Sequence, residues 1–499
     1  MNPIPSLRMQ RIAVALFVSL LTSVAGATCG GGGGGGSGGF TMSEFRTSND
    51  KEKAYEVPWQ LMSNNPAIPA GGLRLYWFPM STNEMSESRL RTSRELSLWS
   101  GQGITMLVAQ FSKPIAKELG ATPDVSQVIL TDANGTVLAR AEGRNTGVKI
   151  APVRNMVKEE LDRREASVNK QLKDAKGMAK AGDKAAAIEL YQKVWAERLL
   201  FPKEAKQAAR ELKKLDVDVA DDDTIAALPD RTPIHEGDLA DQVINLMNHG
   251  LDAEIAGDYE LARRYYSAAR ELDPADAAPS RYLGELYRHH TGEWDEARVV
   301  FEQMLTEQVD PLSRAVALHG LGKMTIHEGE FIKGLELMEQ SVAVFPLPLA
   351  YRNIAVFWNS EAEHEKAAHY TALALKLAPK DPYNQVFAAV FLAANGQREE
   401  ALRIAQENEW LMSASYNLAA IYAQTGDKER ALEMLERHFY TYERYNEVRA
   451  KEMMEARVDA VFDSIRAEEA FVQLTHLADG RLPVPDLPRK PMTFPEGRQ

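Results

Sequence analysis

Few side chains in this 499-residue chain stand at spacings that chemistry requires. The only cysteine, Cys29, lies before the run "GGGGGGGSGG" and has no second thiol to pair with. An internal disulfide is therefore excluded, as are zinc and iron–sulfur sites built on paired cysteines. His289 and His290 are the only adjacent histidines. Neighbouring helical residues point about 100° apart, so the pair does not form the two-ligand face that an i, i+4 pair would. The stretch "HGLGKMT" lacks P-loop spacing, and there is no Gly-x-Ser-x-Gly elbow joining a strand to a helix. The aspartate-rich "DVDVADDDTIAALPDRTP", residues 216–233, lacks the glycine and closing glutamate of an EF-hand loop and reads as a solvated linker. The expectation is a protein without catalytic residues, metal or cofactor.

Cys29 gains meaning from what precedes it. Arg8 and Arg11 stand before an apolar run from Ile12 to Leu21, too short for a spanning helix but suited to an export signal. Ala25 and Ala27 form an A-x-A site, and cleavage there leaves Cys29 as a free thiol. Alternatively Cys29 becomes the lipidated N-terminus, because the segment resembles a bacterial lipoprotein signal. It departs from that pattern at Gly26 and Thr28. The glycine run favours lipidation, since a flexible coil holds a folded body away from a bilayer. Gly30 is not the aspartate that the resemblance associates with inner-membrane retention, so an outer-membrane, periplasm-facing anchor is expected, with a soluble periplasmic or secreted protein as the alternative.

The remainder has the composition of a globular protein, with 44% hydrophobic and 26% charged residues. A net charge of −13 argues against nucleic acid or anionic membrane as nonspecific partners. "GLRLYWF" and "GITMLVAQF" read as buried strands, "SESRLRTSRELSLWS" as an amphipathic helix and "KPIAKELG" as a short one. "SQVILTDANGTVLARAEG" reads as a hairpin turning at Asn134-Gly135, and a helix follows from about Val153. This β-α-β-α-β-β-α order resembles a thioredoxin fold. Where that family carries its two cysteines, this chain has "FPMSTNEM", with Ser81 and Glu84 at those positions, and Ser126 replaces the usual proline. Dithiol exchange is excluded for want of thiols.

The second half is organised by a repeat. Gly250, Ala262, Tyr266 and Pro274 are separated by 12, 4 and 8 residues, and the intervals recur at Gly322, Gly334, Met338, Pro346 and at Ala355, Ala367, Thr371, Pro379. Ala389, Ala401, Ala405 and Ala419, Ala431, Leu435 fit the first two intervals, as do Ala175, Ala187 and Tyr191 upstream. Small residues suit the closest approach of paired helices, and larger ones fill the gap to the next pair. Each pair cannot bury its apolar face alone and must stack. Stretches such as "GDYELARRYYSAARELDP" and "ASYNLAAIYAQTGDKERALEMLERHF" resemble the tetratricopeptide repeat. That resemblance implies a concave groove lined by the first helix of each pair. In this register the groove presents Arg281, Arg288, His289, His319, Lys323, His327, Arg352 and Asn359, a basic strip suited to an acidic segment or a terminal carboxylate.

The expected architecture is mostly α, a tetratricopeptide solenoid preceded by a small α/β thioredoxin-like domain. Its parts are a signal peptide (1–28), a tether (29–40), the thioredoxin-like domain (41–165), an isolated helical hairpin (166–215), an acidic linker (216–239), the solenoid (240–440), capping helices (441–479) and a proline-rich tail (480–499). The resemblances imply an exported, lipid-anchored scaffold for protein partners in a bacterial cell envelope, with Arg281, Arg288, His319, Lys323, Arg352 and Asn359 as partner-binding residues. The second reading is a thioredoxin-like chaperone or enzyme that works without cysteines around Ser81 and Glu84.

Overall fold

Strand and helix in the N-terminal part follow from which faces can be buried. In the computed structural model, which describes residues 52–62, 66, 68–144, 147–219, 235–307, 309–360, 363–443 and 446–475, the strands are β1 (Gln60–Leu61), β2 (Leu73–Phe78), β3 (Ile104–Val108), β4 (Ser126–Asp132) and β5 (Val137–Gly143). They form one sheet in the order β1-β3-β2-β4-β5, with β1, β3 and β2 parallel and β4 and β5 antiparallel additions. β2 is apolar on both faces because both are covered. Leu73, Leu75 and Trp77 enter one core, Tyr76 and Phe78 another. Asp132 Oδ1 accepts from the backbone N–H groups of Asn134 and Thr136, and Gly135 takes a φ of 86°, which fixes the hairpin turn.

Three features of this body depart from the sequence expectation, the first being β1, which pairs with β3 where no strand was expected. The helix expected over 86–100 is interrupted: α1 (Thr82–Glu87) ends, and Ser93 caps a new helix, α2 (Arg94–Gly101), by accepting from Leu96 N–H. After α3 (Pro114–Glu118), α4 runs unbroken from Ile150 to Lys180 and crosses the domain boundary expected at 165/166. The hairpin completed by α5 (Lys184–Ala196), together with α6 (Pro202–Lys214), shares one core with the sheet, in which Leu75, Trp77, Val157, Val168, Tyr191 and Leu212 all take part. A long amphipathic helix buries its stripe against both partners, so residues 166–215 belong to the N-terminal body.

The rest is a stack of helical pairs: α7 (Asp238–Ile255) with α8 (Tyr259–Leu272), α9 (Ala277–Glu285) with α10 (Trp294–Thr306), α11 (Pro311–His327) with α12 (Phe331–Val344), α13 (Pro348–Ser360) with α14 (His364–Leu377), α15 (Pro382–Ala394) with α16 (Arg398–Glu407) and α17 (Ser415–Thr425) with α18 (Lys428–Arg437). α9 and α18 each run into a π-helical turn, Leu286–Thr291 and His438–Tyr442. α19 (Asn446–Val458), a 3-10 turn (Ala460–Phe462) and α20 (Glu469–Thr475) complete the described chain. The small residues of the repeat are sterically required. A Cβ on Gly250 would stand 2.4 Å from the Tyr266 ring and one on Gly322 would stand 2.8 Å from the Gly334 carbonyl oxygen; outside the regularly spaced sets, Cβ atoms on Gly284 and Gly320 would each stand 2.3 Å from Phe301. No helix among the described residues is long and apolar enough to cross a membrane. The signal segment, Cys29, the glycine tether, most of the acidic linker and the proline-rich tail lie outside the described residues.

Candidate interaction groove

The residue three places before the small residue of the first helix has a common task in the second, third, fourth and sixth pairs; the fifth carries the apolar Val386 there. Arg281, fully buried, donates from Nη1 to Ser313 Oγ at 3.1 Å and lies 3.8 Å from Asp310, the residue that caps α11. Arg352 donates to Asn384, 32 residues on as in the Arg281 pair, next to Asp381, which caps α15. Its guanidinium lies over the Tyr383 ring at 4.7 Å. His319 Nε2 meets Asn353 Nδ2 at 2.7 Å, and Tyr416 donates to the carboxylate of Asp459, the cap of the next turn, at 3.1 Å. Each side chain therefore ties its own pair to the start of the next. This corrects the reading of Arg281, His319 and Arg352 as residues open to a partner: they are buried clasps between repeats. Asn359 also turns away, to His364 at 3.2 Å.

In the first pair the clasp position holds Met247, and the missing cation comes from the N-terminal body. Arg94 Nε donates to Asp276, the cap of α9, at 2.8 Å; Nη2 donates to Asp273; and Nη1 donates to the His235 carbonyl at 3.1 Å. Burial disfavours the Arg94 charge, but Asp276 and Tyr55 hold the group above its usual pKa. Tyr55 adds a 2.6 Å bond to Asp276, and Tyr282 donates to the Ala54 carbonyl at 2.9 Å. Ala54 and Tyr55 are part of the first repeat's core.

What remains of the strip is Arg288, His289, Lys323 and His327; the π turn that carries the first two touches α19, and Lys323 and His327 face its glutamates. Val448 of α19 lies 3.2 Å from the position of a Cβ on Gly292, and Glu455 lies 3.6 Å from His327 Nδ1. Lys323 acts electrostatically on Glu452. Arg288 is held by Glu285 through two bonds, the shorter 2.7 Å. Burial, then His290, Arg288 and Lys323, push His289 well below the usual histidine range. Residues 460–475 pack on α17 and α18, as a cap would, whereas α19 reaches back to the second and third pairs and occupies the groove. The sequence offered no pattern for this, because α19 carries no repeat spacing; the one usable hint was Glu452 and Glu455, one helical turn apart.

His438, at the first position of its π turn, bonds Glu452 Oε2 from Nε2 at 2.5 Å where α19 departs. Burial pushes His438 down to about 4 and Glu452 well above the carboxylate range. Arg449, also fully buried, donates to the carbonyls of Phe439 at 2.6 Å and Glu443 at 3.0 Å and fixes the start of α19.

Ser81 and Glu84 are brought together with Ser126, but in structural roles. Ser81 Oγ caps α1 by accepting from Glu84 N–H at 3.0 Å, while the Glu84 carboxylate accepts from Met80 N–H at 2.8 Å and from Ser126 Oγ. This is a variant of the reciprocal capping arrangement, and it uses the oxygens that catalysis would need.

No family model matches the chain. The chain is similar to the photosystem I assembly protein Ycf3 of Rippkaea orientalis, with 32% identity over 123 residues, covering 22% of this chain and 69% of that protein. That relative is a tetratricopeptide-repeat protein. The identity, the coverage of the relative and the stack of helical pairs seated on small residues at a fixed spacing together show that the chain belongs to the tetratricopeptide-repeat family.

Proposed function

We propose that this chain is an exported scaffold, anchored to a bacterial envelope membrane by an acylated Cys29, that binds protein partners and assists assembly of an envelope complex. It acts by binding rather than by catalysis. One observation carries the reading. The wall formed by Arg288, His289, Lys323 and His327 receives a helix of the chain itself that presents Glu452 and Glu455 one turn apart. A surface that holds such a helix in cis suits a partner helix with carboxylates at the same spacing. The Ycf3 relative, named for assembly, agrees with this role. The N-terminal body serves as a thioredoxin-like brace. Its strand order β1-β3-β2-β4-β5 supports that assignment, and its docking through Arg94 supports the bracing role.

Site-specific photocrosslinkers at Arg288 and, as an outer-face control, at Val299 test the groove in cells. A protein crosslinked from position 288 and not from 299 supports the reading, and the reverse pattern overturns it. Intact mass of the mature N-terminus tests the anchor: an acyl adduct on Cys29 is expected, and a chain starting at Thr28 with a free thiol refutes it.

A further inference from the structure

We propose that His438, Glu443 and Glu452 form a binding site for one divalent transition-metal ion, which staples α19 to the last repeat. One donor atom from each residue lies within 4.8 Å of the other two, and all three residues are buried. The donors come from three pieces of chain: the start of the π turn, its end and the second turn of α19. The shape is therefore set by tertiary packing and not by one acidic stretch. The buried Tyr442 hydroxyl lacks a hydrogen-bond partner, its ring stacks on His438 at 5.6 Å, and both Glu443 and Glu452 act on it electrostatically. Buried polar atoms are nearly always satisfied, so an orphaned hydroxyl beside two buried carboxylates marks a place with room for a further polar group.

The donor set specifies the ion class. One imidazole nitrogen with two carboxylate oxygens suits zinc, manganese or iron(II), whereas calcium and magnesium favour all-oxygen shells with more ligands. Zinc bonds of about 2.0–2.2 Å require the donors to stand closer than 4.8 Å, a contraction that side-chain rotation in Glu443 and Glu452 supplies. Binding replaces the His438–Glu452 hydrogen bond with two metal bonds and needs a neutral imidazole and ionised carboxylates. Because His438 belongs to the last repeat and Glu452 to the helix lying in the groove, the ion would fix α19 in place. The site stands irrespective of what the groove binds.

The test uses the untagged full chain, stripped with chelator and titrated with zinc chloride by calorimetry, with bound metal counted by mass spectrometry. One ion per chain at micromolar or tighter affinity is expected. Glu452→Gln and Glu443→Gln should each weaken binding at least tenfold, while Glu400→Gln, at an exposed position on α16, leaves it unchanged. Cobalt(II) should give visible d–d bands that Glu443→Gln removes, and zinc should slow amide exchange in α19. The proposal is overturned if the wild-type chain binds no zinc below 100 μM, or if both glutamine variants, shown folded by circular dichroism, bind as wild type does.

Discussion

At Asp276 the stack meets an arginine from the N-terminal body, and at Lys323 and His327 it meets glutamates from its own C-terminal helix. Both junctions set acid against base, yet they are built differently. At the Arg94 junction the guanidinium itself is fully engaged: it serves Asp273, Asp276 and a carbonyl, and its side chain is 1% exposed. At the α19 junction the Glu455–His327 contact is 3.6 Å, and buried polar atoms of His438 and Tyr442 lack partners nearby. A saturated buried network resists removal of any member, whereas a partly satisfied one is easier to exchange for another set of contacts. The comparison teaches that the N-terminal body extends the solenoid by filling a clasp position, whereas α19 joins it through core residues Met453 and Ala456 and a less fully paired set of charges.

The largest effect should come from breaking the saturated side. Arg94→Ala leaves Asp273 and Asp276 buried without their cation and should cost about 3–5 kcal/mol, splitting calorimetric unfolding into separate transitions for body and stack. A single unchanged transition would show that the junction is not structural. Next, Arg352→Met copies the residue that the first pair carries at Met247 but leaves the Asn384 side-chain oxygen without its donor and the buried Asp381 without its neighbouring cation, and should cost about 2 kcal/mol by chemical denaturation.

Acidity sharpens the contrast further. Burial lowers the pKa of both His289 and His319, so the folded state binds fewer protons than the unfolded chain. Their contribution is full above the unfolded value near 6.5 and is lost as pH falls below it, by roughly 1.4 kcal/mol per unit for each histidine. Asp459 behaves oppositely: burial pushes it up to about 7, so its contribution is present below 3.8 and disappears as pH rises through 7. His289→Gln should flatten the acid limb of a melting-temperature profile and Asp459→Asn the neutral limb. The smallest effect belongs to the half-exposed Lys158–Glu236 pair at 2.6 Å, where Lys158→Ala should change stability by a few tenths of a kcal/mol.

Strands β2 to β5, the Asn134-Gly135 hairpin and the helical pairs were legible from sequence, because each depends on residues at short, fixed separations. The clasp was half legible. Asp310-Pro311 and Asp381-Pro382 announce helix starts, but the 32-residue link from Arg281 or Arg352 reads as a basic strip until the next pair is placed against it. The domain boundary at 165/166 was misread because α4 changes partner along its length without any change in its own pattern.

Sequence alone determined that this chain stacks helical pairs, carries no dithiol chemistry and holds its only cysteine beside a glycine tether, since periodicity and composition are properties of the chain itself. Only tertiary structure decided which charges are exposed. Whether Arg281, His319 or Lys323 faces water depends on the segment lying opposite, and for Lys323 that segment arrives from more than a hundred residues away. The free energy of a charge is fixed by that environment, which no local pattern records.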